Sequence, residues 1–320
     1  MLAALRQRFA AWGASRQRYD SGTVTLNQRS IYILPTRQGL AFGFVLVLML
    51  LGDINYNLSL GYVLTFLLAT MGGMSMLHAF RNMAQLQVRA GHVEPVFAGD
   101  TAHFVFHVHN ASKLQRHRIT LHDTQGHSTA FDVAAFGHTE AVLGIPAPQR
   151  GWLKPGRLTL YTHFPLGLFH AWSYLHFDVR CLVYPRPAAR LPLPAASADD
   201  GSGRQAVAGD EEFAGLRGYI AGDALQRIAW KALAREQGLQ VKQFNAQQGR
   251  ELWLDWSQLP AIADERKLEL LTRWVLDAEA QGLRYGLRLS GVELPPGQGP
   301  SHRTECLRAL ALSGLGETAA

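Results

Sequence analysis

Cysteine is almost missing from this chain: Cys181 and Cys306 are the only two among 320 residues, and they form no motif. A disulfide framework has nothing to build on, and the scarcity fits a reducing compartment. Catalytic signatures are missing too. There is no Gly-x-Ser-x-Gly elbow, no His-Glu-x-x-His pair and no Gly-rich phosphate loop ending in Lys-Ser or Lys-Thr. Gly201-Ser202-Gly203 lies in a polar stretch and reads as flexibility. These absences count against an envelope enzyme, so neither enzyme activity nor a cofactor is expected. Acid is scarce at the N-terminus, where Arg6, Arg8, Arg16, Arg18, Arg29 and Arg37 face a single Asp20. Such a block can meet nucleic acid or anionic lipid. The apolar sequence directly after it favours lipid, and no nucleic-acid partner is expected.

Two long apolar runs come next. Residues 39–52 read GLAFGFVLVLMLLG, Asp53-Ile54-Asn55-Tyr56-Asn57 breaks the run, and residues 58–77 continue for twenty positions without a charge. Twenty apolar residues cross a bilayer core, and the first run does so if Gln38 and Asn55 sit at the interfaces. The late start and the second run argue against a signal peptide. A buried helix pair would need a large soluble core around it, which the neighbouring sequence does not offer. Arginines precede the first run, Arg81 and Arg89 follow the second, and the connecting loop has no cation. The positive-inside rule then places both termini, and everything beyond about residue 81, in the cytoplasm.

Beyond the runs the pattern shortens. His103-Phe104-Val105-Phe106-His107-Val108-His109 alternates strictly, as do residues 118–122 and 157–161, with turn residues between them. Strands at this spacing predict an antiparallel β-sandwich. From Leu191 to about Gly209 prolines and small polar residues read as a linker. After it, strands at 239–244, 251–256 and 284–290 alternate with helices at 264–280 and 302–312, which implies a small α/β layer. The expected organisation is a basic cytoplasmic segment over 1–37, a transmembrane hairpin over 38–80, a sandwich over 85–187, a linker over 188–210 and an α/β domain over 211–320.

The densest local pattern is residues 222–235, GDALQRIAWKALAR. Asp223 can cap a helix start, and Arg227, Lys231 and Arg235 recur every four residues, so they project from one side. Two readings stay open: an ordinary amphipathic helix with a solvated basic face, or a docking surface for an acidic partner.

Eleven of the thirteen histidines fall between His92 and His176, and His103, His107 and His109 share one strand face. Imidazoles so placed could ligate zinc or copper, which makes a histidine-rich metal-binding or metal-sensing module the alternative reading. The competing reading is the wet face of a sheet. Asp255 and Ser257 end a strand where an aspartate and a hydroxyl could hold magnesium, but Leu259 offers no third oxygen.

Two blocks resemble a known family. The first is Arg150-Gly151-Trp152, Gly156-Arg157, Phe164-Pro165-Leu166-Gly167-Leu168-Phe169 and Val183-Tyr184-Pro185. The second is Leu216-Arg217-Gly218-Tyr219, Gly222-Asp223, Arg227-Ile228, Trp230-Lys231-Ala232, Ala234-Arg235 and residues 239–244, LQVKQF. With the two apolar runs they are similar to the bacterial membrane proteins containing the domain of unknown function 58. That resemblance covers nearly the whole chain. It implies an inner-membrane protein whose C-terminal part is a von Willebrand factor A-like α/β layer, associated with MoxR-type AAA+ ATPases and sometimes with transglutaminase-like membrane proteins. In a complete domain of that type a metal site begins Asp-x-Ser-x-Ser. Here the motif falls on Asp255 and Ser257, with Leu259 third, so a truncated and metal-free version is expected. The fold class is then multi-domain α+β, and the expected role is a non-enzymatic, membrane-anchored adaptor. Gly222, Asp223, Arg227, Trp230, Lys231, Arg235 and Lys242 form its partner-docking or fold-stabilising motif.

Overall fold

Two short strands precede the apolar runs, β1 (Thr23–Thr25) and β2 (Tyr32–Pro35). The computed structural model describes residues 22–190, 192–194, 212–218, 240–245 and 252–315. The chain divides into two compact units, one built on residues up to Arg186 and the other on Pro187–Ser313. Among the described residues the class is mixed α+β, with four α-helices and several sheets.

Helix α1 (Arg37–Tyr56) and helix α2 (Ser59–Met83) carry the two apolar runs. Both are long and apolar enough to cross a membrane. At 1.5 Å per residue each reaches about 30 Å or more. The polar stretch from Asp53 to Asn57, expected as a connecting loop, is mostly helical. The turn shrinks to Asn57, in the left-handed region at φ 49°, and Leu58. Asp53 stays in α1 and is only 5% exposed. Its carboxylate is met from α2, where the Thr65 hydroxyl donates to Asp53 Oδ2 at 2.7 Å. The facing position must be small: a Cβ at Gly61 would collide with that carboxylate.

Strands β3 (Leu86–Ala90), β4 (Val96–Phe97), β5 (Thr101–Asn110), β6 (Arg116–His122), β7 (Ser128–Val133), β8 (His138–Pro146), β9 (Gly151–Leu153), β10 (Leu158–Thr162), β11 (Phe169–Leu175) and β12 (Cys181–Tyr184) follow. They form sheets of order β1-β3-β5-β8, β2-β11-β10-β6-β7 and β4-β12-β9. The first two are antiparallel throughout, whereas β4 and β12 run parallel. Period-two alternation drives this body together. Phe104, Phe106 and Val108 of β5 join Leu86, Val88, Ile119, Leu121, Leu143, Leu158 and Leu160 in one buried cluster. Each large side chain so buried contributes about 1.5–3 kcal/mol. Part of the segment expected as a basic N-terminal tail is therefore sheet: β1 pairs with β3, and β2 with β11. Three and four residues are too few for a readable period.

In the second unit β13 (Glu212–Gly218) pairs antiparallel with β14 (Gln240–Asn245). Strand β15 (Leu252–Asp255), helix α3 (Asp264–Ala280) and strand β16 (Tyr285–Leu289) make a parallel crossover. Strand β17 (Val292–Gly297) returns antiparallel to β16, and helix α4 (Pro300–Leu312) ends the unit. Helix α3 buries Leu268, Leu271, Val275 and Ala278 at helical spacing, with Asp264 and Glu265 in its first turn where the dipole favours acid. Residues expected at the start of a linker belong to this unit. Ala188 N–H donates to Glu269 O at 3.1 Å, and Trp274 Nε1 donates to Pro192 O at 3.1 Å.

Candidate functional site at the helix-bearing end

Most of the expected docking motif, Gly222, Asp223, Arg227, Trp230, Lys231 and Arg235, lies outside the described residues. Lys242 is on β14, in register with Leu216 of β13.

The Asp255–Ser257 pair is spent locally. Asp255 Oδ1 accepts both the Ser257 N–H and the Ser257 hydroxyl, each at 2.8 Å, capping a single 3-10 turn. Leu259 turns inward and is buried. One carboxylate oxygen that already holds two donors, beside an apolar third position, is a poor start for an octahedral cation site.

His103, His107 and His109 do lie on one exposed face of β5. Across the ladder they meet different partners: Gly144, Glu140 and His138. His107 Nδ1 sits 3.5 Å from Glu140 Oε1. No group of three His, Cys, Asp or Glu side chains gathers for a metal among the described residues. Neither thiol is set up as a nucleophile. Burial pushes Cys306 up to about 12, and it pushes Cys181 above the ordinary thiol range.

The structure concentrates its polar machinery elsewhere, at the joint between the helices and the β-body. Thr36 caps α1, its hydroxyl oxygen accepting from Gly39 N–H at 3.1 Å. The same hydroxyl donates to Gly167 O at 2.7 Å, and Thr36 N–H donates to Leu168 O at 2.9 Å. Gly167 has φ +72°, and a Cβ at Gly39 would collide with the Leu168 carbonyl. The Phe164–Phe169 block is therefore the turn on which the first helix stands.

The end of α2 is held from the other side. The Asn82 side chain donates to His117 O at 2.8 Å and to Thr162 Oγ1 at 3.1 Å, and accepts from His117 N–H at 2.9 Å. It reads the backbone of an irregularity in β6, where the register with β7 shifts between Arg116 and Ile119 and Arg118 has φ 48°. Arg116 is buried just beneath. Its guanidinium donates to Ala84 O at 3.0 Å, Ser112 Oγ at 2.8 Å and Asn110 Oδ1 at 3.2 Å. Burial, and then the nearby Arg81, lower its pKa. A cation against the terminal carbonyls of α2 also suits the helix dipole.

This arrangement transmits position rather than chemistry. It holds no nucleophile beside a base; it holds two helix ends rigidly against two sheets. The sequence reading missed Asn82, Thr162 and Arg116. The legible signals were Thr36 as an N-cap residue and the polar Arg81-Asn82 pair closing an apolar helix.

No protein-family model matches the chain, and no curated protein matches it significantly.

Proposed function

We propose that the protein is a membrane-anchored, non-enzymatic adaptor that presents a cytoplasmic domain to a partner. The carrying observation is the inverted surface of the two long helices. In α1 the buried residue is Asp53, while Phe44, Val47, Leu48 and Leu51 are exposed. In α2 the buried set is Thr65, Gly72, Ser75, Ala79, Asn82 and Met83, while Val63, Leu64, Phe66, Leu67 and Met74 are exposed. An apolar surface this continuous needs an apolar solvent. The hairpin spans the bacterial inner membrane, with both termini and both units cytoplasmic. The two antiparallel sheets of the first unit form the sandwich, and the second unit is a truncated von Willebrand factor A-like layer. Arg227, Lys231 and Arg235 serve as the docking face, and the partner is a MoxR-type AAA+ ATPase, with a transglutaminase-like membrane protein as a further associate. The resemblance of the residue blocks supports the partner, and the cation placement supports the topology.

The test is affinity capture from native membranes. Reversing charge at Arg227, Lys231 and Arg235 is expected to lower the yield of co-purified ATPase at least about tenfold, with unfolding temperature unchanged. Undiminished capture would end the docking role, and a loss of stability instead would assign the cations to the fold. Thiol labelling of Asn57→Cys from outside, with the C-terminus protected, checks the topology.

A further inference from the structure

The two ends of the β-body differ in charge and in apolar exposure. Strand registers put residues 111–115, 134–137 and 163–168 at the end from which α1 and α2 rise. Residues 91–100, 123–127, 147–157 and 176–180 form the opposite end. Between residues 84 and 186 the exposed large apolar side chains are Leu114, Phe136, Val142 and Leu166. Three of these four occupy the helix-bearing end, at 44%, 64% and 49% exposure for Leu114, Phe136 and Leu166. The backbone that carries them is held. Phe136 N–H donates to Ser112 O at 3.0 Å, Asn110 Nδ2 donates to Leu114 O at 2.8 Å, and Leu166 precedes the glycine that receives the Thr36 hydroxyl.

Charge follows the same division. Arg37, Arg81, Lys113 and Arg118 are exposed toward this end, as is Asp132, whose carboxylate accepts the Arg118 N–H at 2.7 Å. None of the four cations makes an ion pair among the described residues. At the opposite end four cations, Arg150 to Arg180, are matched by four acids, Glu94 to Asp178. Lys113 and Arg118 lie far from the apolar runs in sequence; the fold carries them to the level where the helices leave the body. Phe80, Arg81, Lys113, Leu114 and Arg116 line a pocket of about 380 Å³.

We propose that this end of the body is itself a membrane contact, seated on an anionic leaflet. Leu114, Phe136 and Leu166 enter the headgroup layer, and the Arg81–Lys113 pocket takes a lipid phosphate. Apolar tips ringed by basic side chains are the pattern that binds a bilayer surface, and each basic residue adds about fivefold in affinity for an anionic leaflet. Water hydrates the four cations well but gains nothing from three apolar tips, whereas an anionic leaflet takes both. The inference rests on the hairpin crossing the membrane.

The experiment uses the full chain in lipid nanodiscs, with or without phosphatidylglycerol among phosphatidylcholine. An environment-sensitive fluorophore is attached in turn to Phe136→Cys, Val47→Cys and Gln125→Cys, and quenched by spin-labelled lipid; Cys181 and Cys306 are buried and give little background. Quenching at position 136 is expected to exceed that at 125 by about threefold or more in anionic discs. It should weaken at least about twofold when phosphatidylglycerol is omitted, when salt is raised, or in the Arg81→Gln and Lys113→Gln variants. Quenching at 47 with none at 136 overturns the seat and leaves the anchor intact. No quenching at either overturns the anchor and the seat with it. Quenching at 136 that ignores lipid charge, salt and both substitutions overturns the phosphate pocket. Because salt needs no mutation, a variant that misfolds leaves the electrostatic arm decidable.

Discussion

Helices α2 and α3 are built on opposite rules. Helix α3 hides Leu268, Leu271 and Val275 and turns Arg266 and Glu269 outward, where they pair. Helix α2 hides Thr65, Ser75 and Asn82 and turns Leu64, Phe66 and Leu67 outward. The reversal shows that burial here is decided by what each helix must satisfy, not by hydrophobicity alone. For α3 the unsatisfied quantity in water is apolar area. For α1 and α2, on the lipid-facing reading, it is the polar groups, and two of them are held inside: Asp53 by Thr65, and Asn82 by His117 and Thr162. If the outside of the hairpin were water, the arrangement would be costly at nearly every turn.

Matched changes on the two helices separate the two rules by the largest margin. Leu271→Ala, in the core of the second unit, should cost about 4 kcal/mol in denaturant unfolding. Leu67→Ala, on the outside of α2, should cost well under about 1 kcal/mol in detergent. The reverse exchange is as telling. Leu48→Lys, near the middle of α1, should cost about 3 kcal/mol of membrane insertion, measured as the membrane-integrated fraction after alkaline extraction. A water-facing helix would tolerate that lysine with no measurable change, and such tolerance would remove the lipid-facing reading of the hairpin.

Second in size is the joint. Asn82→Ala removes three hydrogen bonds and deprives the His117 N–H and C=O of their side-chain partner in a buried place. A cost of about 3 kcal/mol is expected in thermal or denaturant unfolding of the detergent-purified protein. Asn82→Asp is the informative companion, because it keeps the acceptor for His117 N–H and loses the donor to His117 O. With a carboxylate oxygen set against the His117 carbonyl in a buried place, it should cost more than Asn82→Ala. A loss below about 0.5 kcal/mol for Asn82→Ala would mean that the bulge in β6 is held by the sheet and the helix merely rests on it.

These residues mark the boundary of what the sequence makes legible. The apolar runs are readable because bilayer length and absence of charge are one-dimensional properties. Strand β5 is readable because Phe104, Phe106 and Val108 alternate over seven residues, and α3 because its leucines keep a 3.6-residue period. The strands at 23–25 and 32–35 are hidden by their shortness and by the arginines around them, which suggest a solvated tail. Asp53 reads as a loop residue because the partner that makes its burial tolerable, Thr65, stands twelve positions away across the hairpin. The joint is invisible for the same reason: Asn82 meets Thr162 across eighty residues, and Thr36 meets Gly167 across 131. Asp255 and Ser257 are visible as a pair, but only the folded turn shows that they spend their polar atoms on each other.

Within the hairpin, Thr65→Val tests the inverted rule at its smallest scale. The substitution keeps the volume and deletes the hydroxyl that donates to Asp53. A buried carboxylate left without that donor should lower stability by about 1–2 kcal/mol, and the Asp53→Leu, Thr65→Val pair should recover most of it. Additive losses in that double-mutant cycle would show that the two groups act separately.

The smallest effect belongs to the β-body, which follows the water rule like α3, and it is read through pH. Asp123 is nearly buried in the turn between β6 and β7, and Oδ1 accepts the N–H groups of Gln125, Gly126 and His127 while Oδ2 lies 2.8 Å from His127 Nδ1. Burial alone would raise its pKa; the His127 hydrogen bond and the three amides outweigh it and hold the carboxyl below the usual range. The unfolded chain therefore takes up a proton at Asp123 more readily than the folded one. Its contribution is fully present above the ordinary aspartate value near about 4 and is lost as pH falls through the lower folded value. Asp123→Asn keeps an acceptor for the amides and removes the charge, so it should cost about 1 kcal/mol at neutral pH and almost nothing under strongly acid conditions. The difference between wild type and variant, followed by unfolding from neutral pH downward, should close only below about pH 4. A gap that stays constant across that range would show that the turn is held by its backbone and that the carboxylate charge contributes nothing.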